Sequence, residues 1–207
     1  MKEEKNDKIK DKEKLDKSYI NFNKLIDKSL TNKFQYLDDW LLKKSNMLLK
    51  ETNGIKNSRV YKRGTIIKAD FGVGIGSEMS QIHFAIVISK YDNPKNDTLT
   101  VIPLSSKTKK HNLNLETLVI DKLIEELDKI MDTVDKDDKV ATIKLSNLVR
   151  YYKKEVNLTF ACINQITTIS KSRILFPFNE YDKIGKIKCD IDILEKIDEK
   201  VIELLTK

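Results

Sequence analysis

From Gly64 onward the chain changes period, and that change limits its fold more than any other feature. GTIIKADF (64–71), HFAIVISK (83–90), TLTVIPLSS (98–106) and later VNLTFACINQI (156–166) are short runs rich in β-branched and aromatic residues. Such runs suit a pleated, half-buried surface and are expected to be strands. A glycine-rich stretch, GVGIGSEMSQI (72–82), separates the first two, and YDNPKND (91–97) brings Asn-Pro and Asn-Asp turn chemistry between the next two. Strands so short and closely spaced point to a small antiparallel barrel or a strongly bent sheet.

Helical periodicity flanks this region. Ile20, Phe22, Leu25, Ile26 and Leu30, then Tyr36, Leu37, Trp40, Leu41, Met47 and Leu48, recur at three- and four-residue steps, which predicts amphipathic helices between residues 19 and 50. Trp40 is expected to pack on a partner surface. Thr52, Asn53 and Gly54 should end that region, since they tolerate turn and left-handed geometry. A second helical stretch carries Leu115, Leu118, Val119, Ile124, Leu127, Ile130 and Met131, with Asn114 as its expected N-cap and DTVDKDDK (132–139) as a charged turn after it. Ile191, Leu194, Ile197, Val201 and Leu204 mark a last helix, with Asp190 at its N-cap and Lys207 favourable near its C-terminal dipole.

The organisation expected is α+β. Residues 1–17 read as a disordered charged tail, 18–58 as an N-terminal helical extension, and 59–207 as the β-rich domain with a C-terminal helix and a helical insertion at about 112–140. A length of 207 residues fits one domain with an appendage.

Charge narrows the range of partners. The formal charge is +7, but its segments differ: +1 over 1–17, +3 over 18–58, +4 over 59–120, −4 over 121–139, +5 over 140–175 and −2 over 176–207. Two basic blocks flank one acidic segment, the footprint of a polyanion binder. No apolar run approaches the roughly 20 residues that cross a bilayer. The N-terminal MKEEKNDKIKDKEKLDK has no apolar core of a signal peptide. A cytoplasmic protein without a membrane partner is therefore expected. Cys162 and Cys189 stand apart from each other and from any histidine cluster, so neither a disulfide framework nor a metal site is expected.

Individual motifs are weak. Gly72-Val73-Gly74-Ile75-Gly76 does not have the spacing of a dinucleotide fingerprint, and no βαβ unit follows it. Asp70-Phe71-Gly72 lacks the catalytic loop of a kinase. Asp70 is expected to end a strand and accept hydrogen bonds from the loop. His83 stands where the glycine-rich loop enters a strand, a rigid position at a cleft edge. An imidazole there can exchange protons near neutral pH.

The order of these segments is more specific than any one of them. RGTIIKADFGVGIGSEMSQIHFAIVIS (63–89), VIPLSS (101–106) and QITTISKSRI (165–174) together resemble the MazF/PemK family of toxin endoribonucleases. Family members share an Arg-Gly opening, a strand ending in Asp, a Gly-Ser-Glu loop, a strand ending in Thr or Thr-Ser, and a Gln-Ile-Arg-Thr-Ile-Asp-Lys-Ser-Arg segment. The likeness covers residues 61–106 and 156–205. It implies a homodimer of small SH3-like, CcdB-like barrels that cuts single-stranded RNA without metal or cofactor and is blocked by a cognate antitoxin protein.

By position the resemblance places Arg63 and Gly64 on the opening pair, Asp70 on the strand-end acid, Ser77 and Glu78 on the loop, and Gln165, Lys171, Ser172 and Arg173 on the last motif. The family's catalytic arginine and threonine fall on His83 and Ser105, and neither is identical. Arginine is a permanent charge and a reluctant base, whereas histidine moves protons more readily and clamps an anion less firmly. Serine keeps the hydroxyl of threonine. The catalytic set expected is His83 as acid, base and charge stabiliser, Ser105 as phosphate donor, and Glu78 shaping the loop. Arg63, Ser77, Ser106, Lys107, Gln165, Lys171 and Arg173 are the expected RNA contacts, with Lys109 and Lys110 as further phosphate candidates. Phe71 and Tyr91 are possible platforms for unpaired bases. Phe84 fits the core better. The alternative in another class is a barrel that has lost the arginine and binds nucleic acid or protein without cutting, as gyrase poisons do. The acidic insertion would either lie over the groove, repelling or mimicking nucleic acid, or form a lid over the barrel.

Overall fold

The structure, a computed structural model, describes residues 2–28, 33–115, 118–135, 137–154 and 160–206. In chain order it has α1 (Lys2–Lys28), a 3-10 turn (Phe34–Tyr36), α2 (Leu37–Thr52), β1 (Ile66–Asp70), β2 (Ile82–Val87), β3 (Thr98–Ser105) and β4 (Asn112–Asn114). Then follow α3 (Leu118–Thr133), α4 (Lys139–Lys154), β5 (Phe160–Cys162), 3-10 turns at Ile163–Gln165 and Lys171–Arg173 on either side of β6 (Thr167–Ser170), and α5 (Ile191–Thr206). Helices and an antiparallel sheet make an α+β fold.

The sheet path is β1-β2-β3-β5-β4, with β6 also on β3. β3 is the shared strand: Thr98–Val101 pairs β6, and Leu104 and Ser105 pair β5. Pro103 falls between the two pairings. A proline has no N–H for a ladder, so it suits the point where a strand changes neighbour. The outer edge of β1 is not left bare. Ala69 bridges Ile174, Thr65 bridges Lys188, and Leu175 N–H donates to the Lys68 carbonyl at 2.8 Å. Covering an edge in this way removes a template for unwanted strand pairing.

Both faces of the sheet are dry, which explains why β1 buries residues at successive positions instead of alternating. On one face Ile66, Phe84, Ile86, Ile102 and Leu104 meet Leu123 and Leu127 of α3, Leu145, Leu148 and Tyr152 of α4, and Ile193 and Ile197 of α5. On the other, Ile67, Ala69, Ala85, Val87, Leu99 and Val101 form a smaller core with Tyr61, Phe71, Ile169 and Ile174. Phe84 belongs to the first core, as its position in the strand suggests.

Several boundaries differ from those the pattern predicts. α1 takes in residues 2–17, where composition points to an unstructured tail. Lys and Glu propagate a helix well, and ion pairs such as Lys14 with Asp11, at 3.7 Å, support it. Its side chains from Asp11 to Ile20 are nevertheless all exposed. Asn114 is not a helix cap but the last residue of β4. The insertion also extends beyond residue 140, because α4 adds a second helix whose Ala141, Leu145, Leu148 and Tyr152 are buried on one stripe. Asp138 caps it, accepting the Val140 and Ala141 N–H groups at 3.1 and 3.0 Å. At the end of α2, Asn53 and Gly54 close the helix, with Gly54 at φ +72°. Asp190 immediately precedes α5 and pairs with Lys122 of α3.

Candidate functional site

The glycine-rich loop between β1 and β2 is closed at its neck by Phe71 N–H to the Gln81 carbonyl, 2.9 Å, and Gln81 N–H to the Gly72 carbonyl, 2.6 Å. Gln81 holds φ +70°, a region non-glycine residues rarely occupy. Strained residues of this kind persist where the surroundings over-determine them. Asp70, buried at the end of β1, accepts the Gly72 N–H at 2.9 Å and lies 3.4 Å from Lys43 Nζ. This is the loop-holding role expected of it.

Inside the loop Glu78 closes a small turn. Its Oε2 accepts the Ile75 N–H at 2.9 Å, while its own N–H donates to the Ile75 carbonyl at 3.2 Å. Glu78 thus shapes the backbone. Gln165, in the 3-10 turn before β6, clasps the loop from across the sheet: its Oε1 accepts the Met79 N–H at 3.0 Å and its Nε2 donates to the Ser77 carbonyl at 3.3 Å. Between the loop and β6 lies a groove of about 890 Å³, lined by Ser77, Glu78, Gln165 and Arg173 among the residues named from sequence. Phe71, Asn164, Thr167 and Thr168 complete much of its floor and rim.

Neither His83 nor Ser105 is among the residues that line this groove. The pairing of β2 with β3 runs from Val87–Val101 to Ala85–Pro103, and His83 and Ser105 each lie two residues past that last pair, Ser105 pairing Phe160 of β5. His83 is half-buried, and its ring meets that of Phe71 edge-on, 6.4 Å between centroids. Phe71 also lines the groove, so it joins the two places. Ser105 Oγ accepts the Lys107 N–H at 3.1 Å. Ser106 and Lys107 follow it on the exposed surface. Burial pushes the Cys162 thiol up, against the opposing pull of Lys109, Ser105 and Asn112. Burial likewise takes Cys189 up to about 11. Neither cysteine is therefore a thiolate at neutral pH. Among the described residues no three histidine, cysteine or acidic side chains stand together as a metal site, and no helix is long and apolar enough to cross a membrane.

Four of the expected RNA contacts do not line the groove: Ser106 and Lys107 follow Ser105, and Arg63 and Lys171 are bonded elsewhere. Arg63 is at the far end of the β1–β2 hairpin, where its guanidinium is bonded to the Ile88 carbonyl and to Asp198 of α5. Lys171 is buried, with Nζ 2.7 Å from Asp92 Oδ1 and donating to the carbonyls of Arg59 and Asn93 at 3.0 and 3.1 Å. All three of its donors are engaged in the interior, so Lys171 is a structural ion and offers nothing to a phosphate. Among the described residues the acidic insertion contributes none to the groove, since α3 and α4 cover the opposite face of the sheet. Of the two arrangements open to it, a cover over the core is the one observed.

Sequence reasoning missed what the N-terminal extension does. Trp40 is buried within its own chain and does not wait for a partner's surface. It lies against Gly72, where an added Cβ would come within 2.3 Å of the indole, and the Arg173 guanidinium stacks 5.0 Å from its ring. Lys33 Nζ donates to the Gly74 and Gly76 carbonyls at 3.0 and 2.9 Å. The one available signal was the glycine at 72, which permits a flat ring to press on the backbone.

The model of one protein family matches the chain: PemK-like, MazF-like toxin of type II toxin-antitoxin system, over residues 62–205. That span contains the sheet, the loop, the groove floor and α3 to α5, and leaves α1 and α2 outside. No curated protein matches the chain.

Proposed function

The chain belongs to the PemK-like, MazF-like toxins of type II toxin-antitoxin systems, and from that premise we propose that it is an endoribonuclease cutting single-stranded RNA without a metal ion. Family membership implies an antitoxin partner. The reading extends to a homodimer and to a barrel-like sheet; the bridges from Ile174 and Lys188 back to the β1 region support such curvature.

The observation that carries the reading is the contact of the His83 ring with Phe71, which lines a polar groove built from the loop and the turn before β6; Ser105 follows the end of the β2–β3 pairing two residues past Pro103. In the reaction the ribose 2′-oxygen attacks the adjacent phosphorus, forming the O2′–P bond as the P–O5′ bond breaks. The 2′-hydroxyl proton passes to a base and the departing O5′ gains a proton from an acid, giving a 2′,3′-cyclic phosphate and a 5′-hydroxyl. His83 is the group able to take and return that proton. Ser105 supplies a hydroxyl donor to the charged phosphorane, and Lys107 is placed two residues on to add positive charge. The groove, with side-chain amides and hydroxyls at Asn164, Gln165, Thr167 and Thr168, suits the edges of unpaired bases.

Incubation of the full chain with single-stranded RNA in EDTA is expected to yield cyclic-phosphate ends, and His83→Ala is expected to lose at least about 100-fold in rate, the scale of general acid-base catalysis. RNA left intact from pH 6 to 8, or full activity in His83→Ala, would overturn the proposal. Half-burial of His83 against Phe71 is the observation that favours the second reading, a module that binds without cutting. Tight RNA binding with no cleavage would establish it.

A further inference from the structure

The N-terminal extension touches the proposed site in more ways than a passive appendage needs to. Four contacts tie it to the loop and the groove. Lys33 bonds the carbonyls of Gly74 and Gly76, Trp40 lies on Gly72, Arg173 stacks on Trp40, and Lys43 faces Asp70. All four lie on the 3-10 turn and first half of α2, or on the residue just before them.

These contacts brace the groove without filling it. The cavity keeps about 890 Å³, with Trp40 and Lys44 forming one wall. Trp40 and Lys44 are four residues apart on α2, hence on the same helix face. Lys44 is exposed. Arg173 gives one hydrogen bond among the described residues, from Nη1 to the Phe71 carbonyl at 3.2 Å, out of the five donors a guanidinium carries. The guanidinium thus rests over the indole while most of its donors remain for a ligand. Glu78, the acidic side chain of the lining, has one oxygen on the Ile75 N–H. The cationic groups at the wall are Lys44 and Arg173.

We propose that α2 is a working wall of the RNA groove: Trp40 is a positioning residue that holds Arg173 against a phosphate, and Lys44 is a direct phosphate contact. The proposal rests on the reading of the groove as an RNA site, and it assigns part of that site to residues outside the family match. An acidic protein segment would meet the same two cations. The amide and hydroxyl side chains of Asn164, Gln165, Thr167 and Thr168 favour a nucleic acid, whose bases need such partners along the whole groove.

Trp40 is the chain's single tryptophan, so its emission reports on this wall alone. The full chain is titrated with a 2′-O-methyl single-stranded oligonucleotide, which cannot be cut. Dye anisotropy on the oligonucleotide and Trp40 emission are followed together. Both should change with the same midpoint. Lys44→Ala, on the exposed surface, should lower the slope of log affinity against log salt by about 0.7, the share of one phosphate on a single strand. Trp40→Leu should weaken binding roughly two- to thirtyfold, the range of a lost cation–π contact. Trp40→Phe should recover most of that loss, which a merely structural role for the indole would not produce. Oligonucleotide binding with unchanged Trp40 emission and an unchanged Lys44→Ala slope would overturn the wall while leaving the RNA reading intact. Tighter binding in Lys44→Ala or Trp40→Leu would show that the segment obstructs the groove and would overturn the wall as well. No binding by the wild type, with saturable binding of an acidic peptide instead, would overturn the RNA reading and this proposal with it.

Discussion

The two helical additions to the sheet meet it on opposite terms. α3 and α4 bring complete apolar stripes, Ile120, Leu123 and Leu127 on one and Ala141, Leu145, Leu148 and Tyr152 on the other, to a dry face of the sheet. α2 buries Leu37 and Trp40 and leaves Leu42, Leu48 and Leu49 exposed. Its hold on the sheet domain includes Lys43 beside Asp70 and the indole on Gly72, with Lys33 before it bonded to the loop. The same division recurs within three residues of the motif after β6. In a 3-10 turn, residues two apart point about 120° away from each other, so Lys171 enters the interior while Arg173 reaches the groove. A helix or a cation close to the site in sequence is thus no guide to its role; the face it meets decides. The rear of the molecule should therefore govern stability without touching ligand affinity, and the front should do the reverse.

The sharpest attack on stability is Asp92→Asn, beside Tyr61 of the smaller core, which leaves the Lys171 ammonium buried without its counter-ion. An expected loss of about 3–5 kcal/mol follows from breaking a buried pair, read as a lower urea midpoint at pH 7. The sign of the pH effect is also determined. Burial works to raise the Asp92 carboxyl, but hydrogen bonds from Lys171 and from the Tyr61 and Asn93 N–H groups, with the lysine's charge, outweigh it and hold the group below its ordinary range. The unfolded chain then binds the proton more readily. The stabilisation is complete above about pH 4 and disappears as pH falls through the lowered value. Wild type and variant should converge below that pH, and a gap that stays constant on acidification would contradict the ion-pair account.

Next in size is Leu123→Ala in α3. Leu123 is wholly buried against the sheet, and removing such a side chain costs about 2–5 kcal/mol through lost transfer energy and the cavity left behind. Oligonucleotide affinity of the folded variant should equal that of the wild type. A changed affinity would couple the rear cover to the groove and break the division.

Much of the rear was legible in the pattern, because burial repeats at the period of its element. The runs at 64–71 and 98–106 contain β1 and β3, the run at 83–90 contains all of β2 but Ile82, and the stripe of α3 is visible. α4 carries an equally regular stripe, but Lys, Thr and Ser surround it and the charged turn before it suggests an ending. β4 is three residues long, too short to show alternation. The front was legible only in its own residues: Glu78, Ser77 and Gln165 do converge at the loop. What placed Trp40 on Gly72 is tertiary, a contact across 32 positions that no local period records. Lys171 shows the converse difficulty. A lysine in a polar motif has every appearance of a surface charge, and only the carboxylate of Asp92 and two carbonyls 78 and 112 positions away in sequence turn it inward.

The smallest stability effect should come with a clear binding effect, at Gln165. Its amide joins the loop to the turn before β6 by two hydrogen bonds, one accepted from Met79 N–H and one donated to the Ser77 carbonyl. Both groups are on a half-exposed rim where water can replace the lost partner, so Gln165→Ala should cost only about 0.5–1.5 kcal/mol in unfolding free energy. The groove, however, would lose the clasp that fixes the position of Ser77 and Glu78 relative to Thr167 and Thr168. Oligonucleotide binding measured by anisotropy should weaken several-fold with little change in urea midpoint. Gln165→Glu separates the two bonds: it keeps an acceptor for Met79 N–H but sets a carboxylate oxygen against the Ser77 carbonyl and adds negative charge to the rim. Its salt slope should fall and its affinity should drop below that of the alanine variant. Equal affinity in wild type, Gln165→Ala and Gln165→Glu would mean that the loop holds its shape without the clasp, leaving Lys33 and Trp40 as its effective supports.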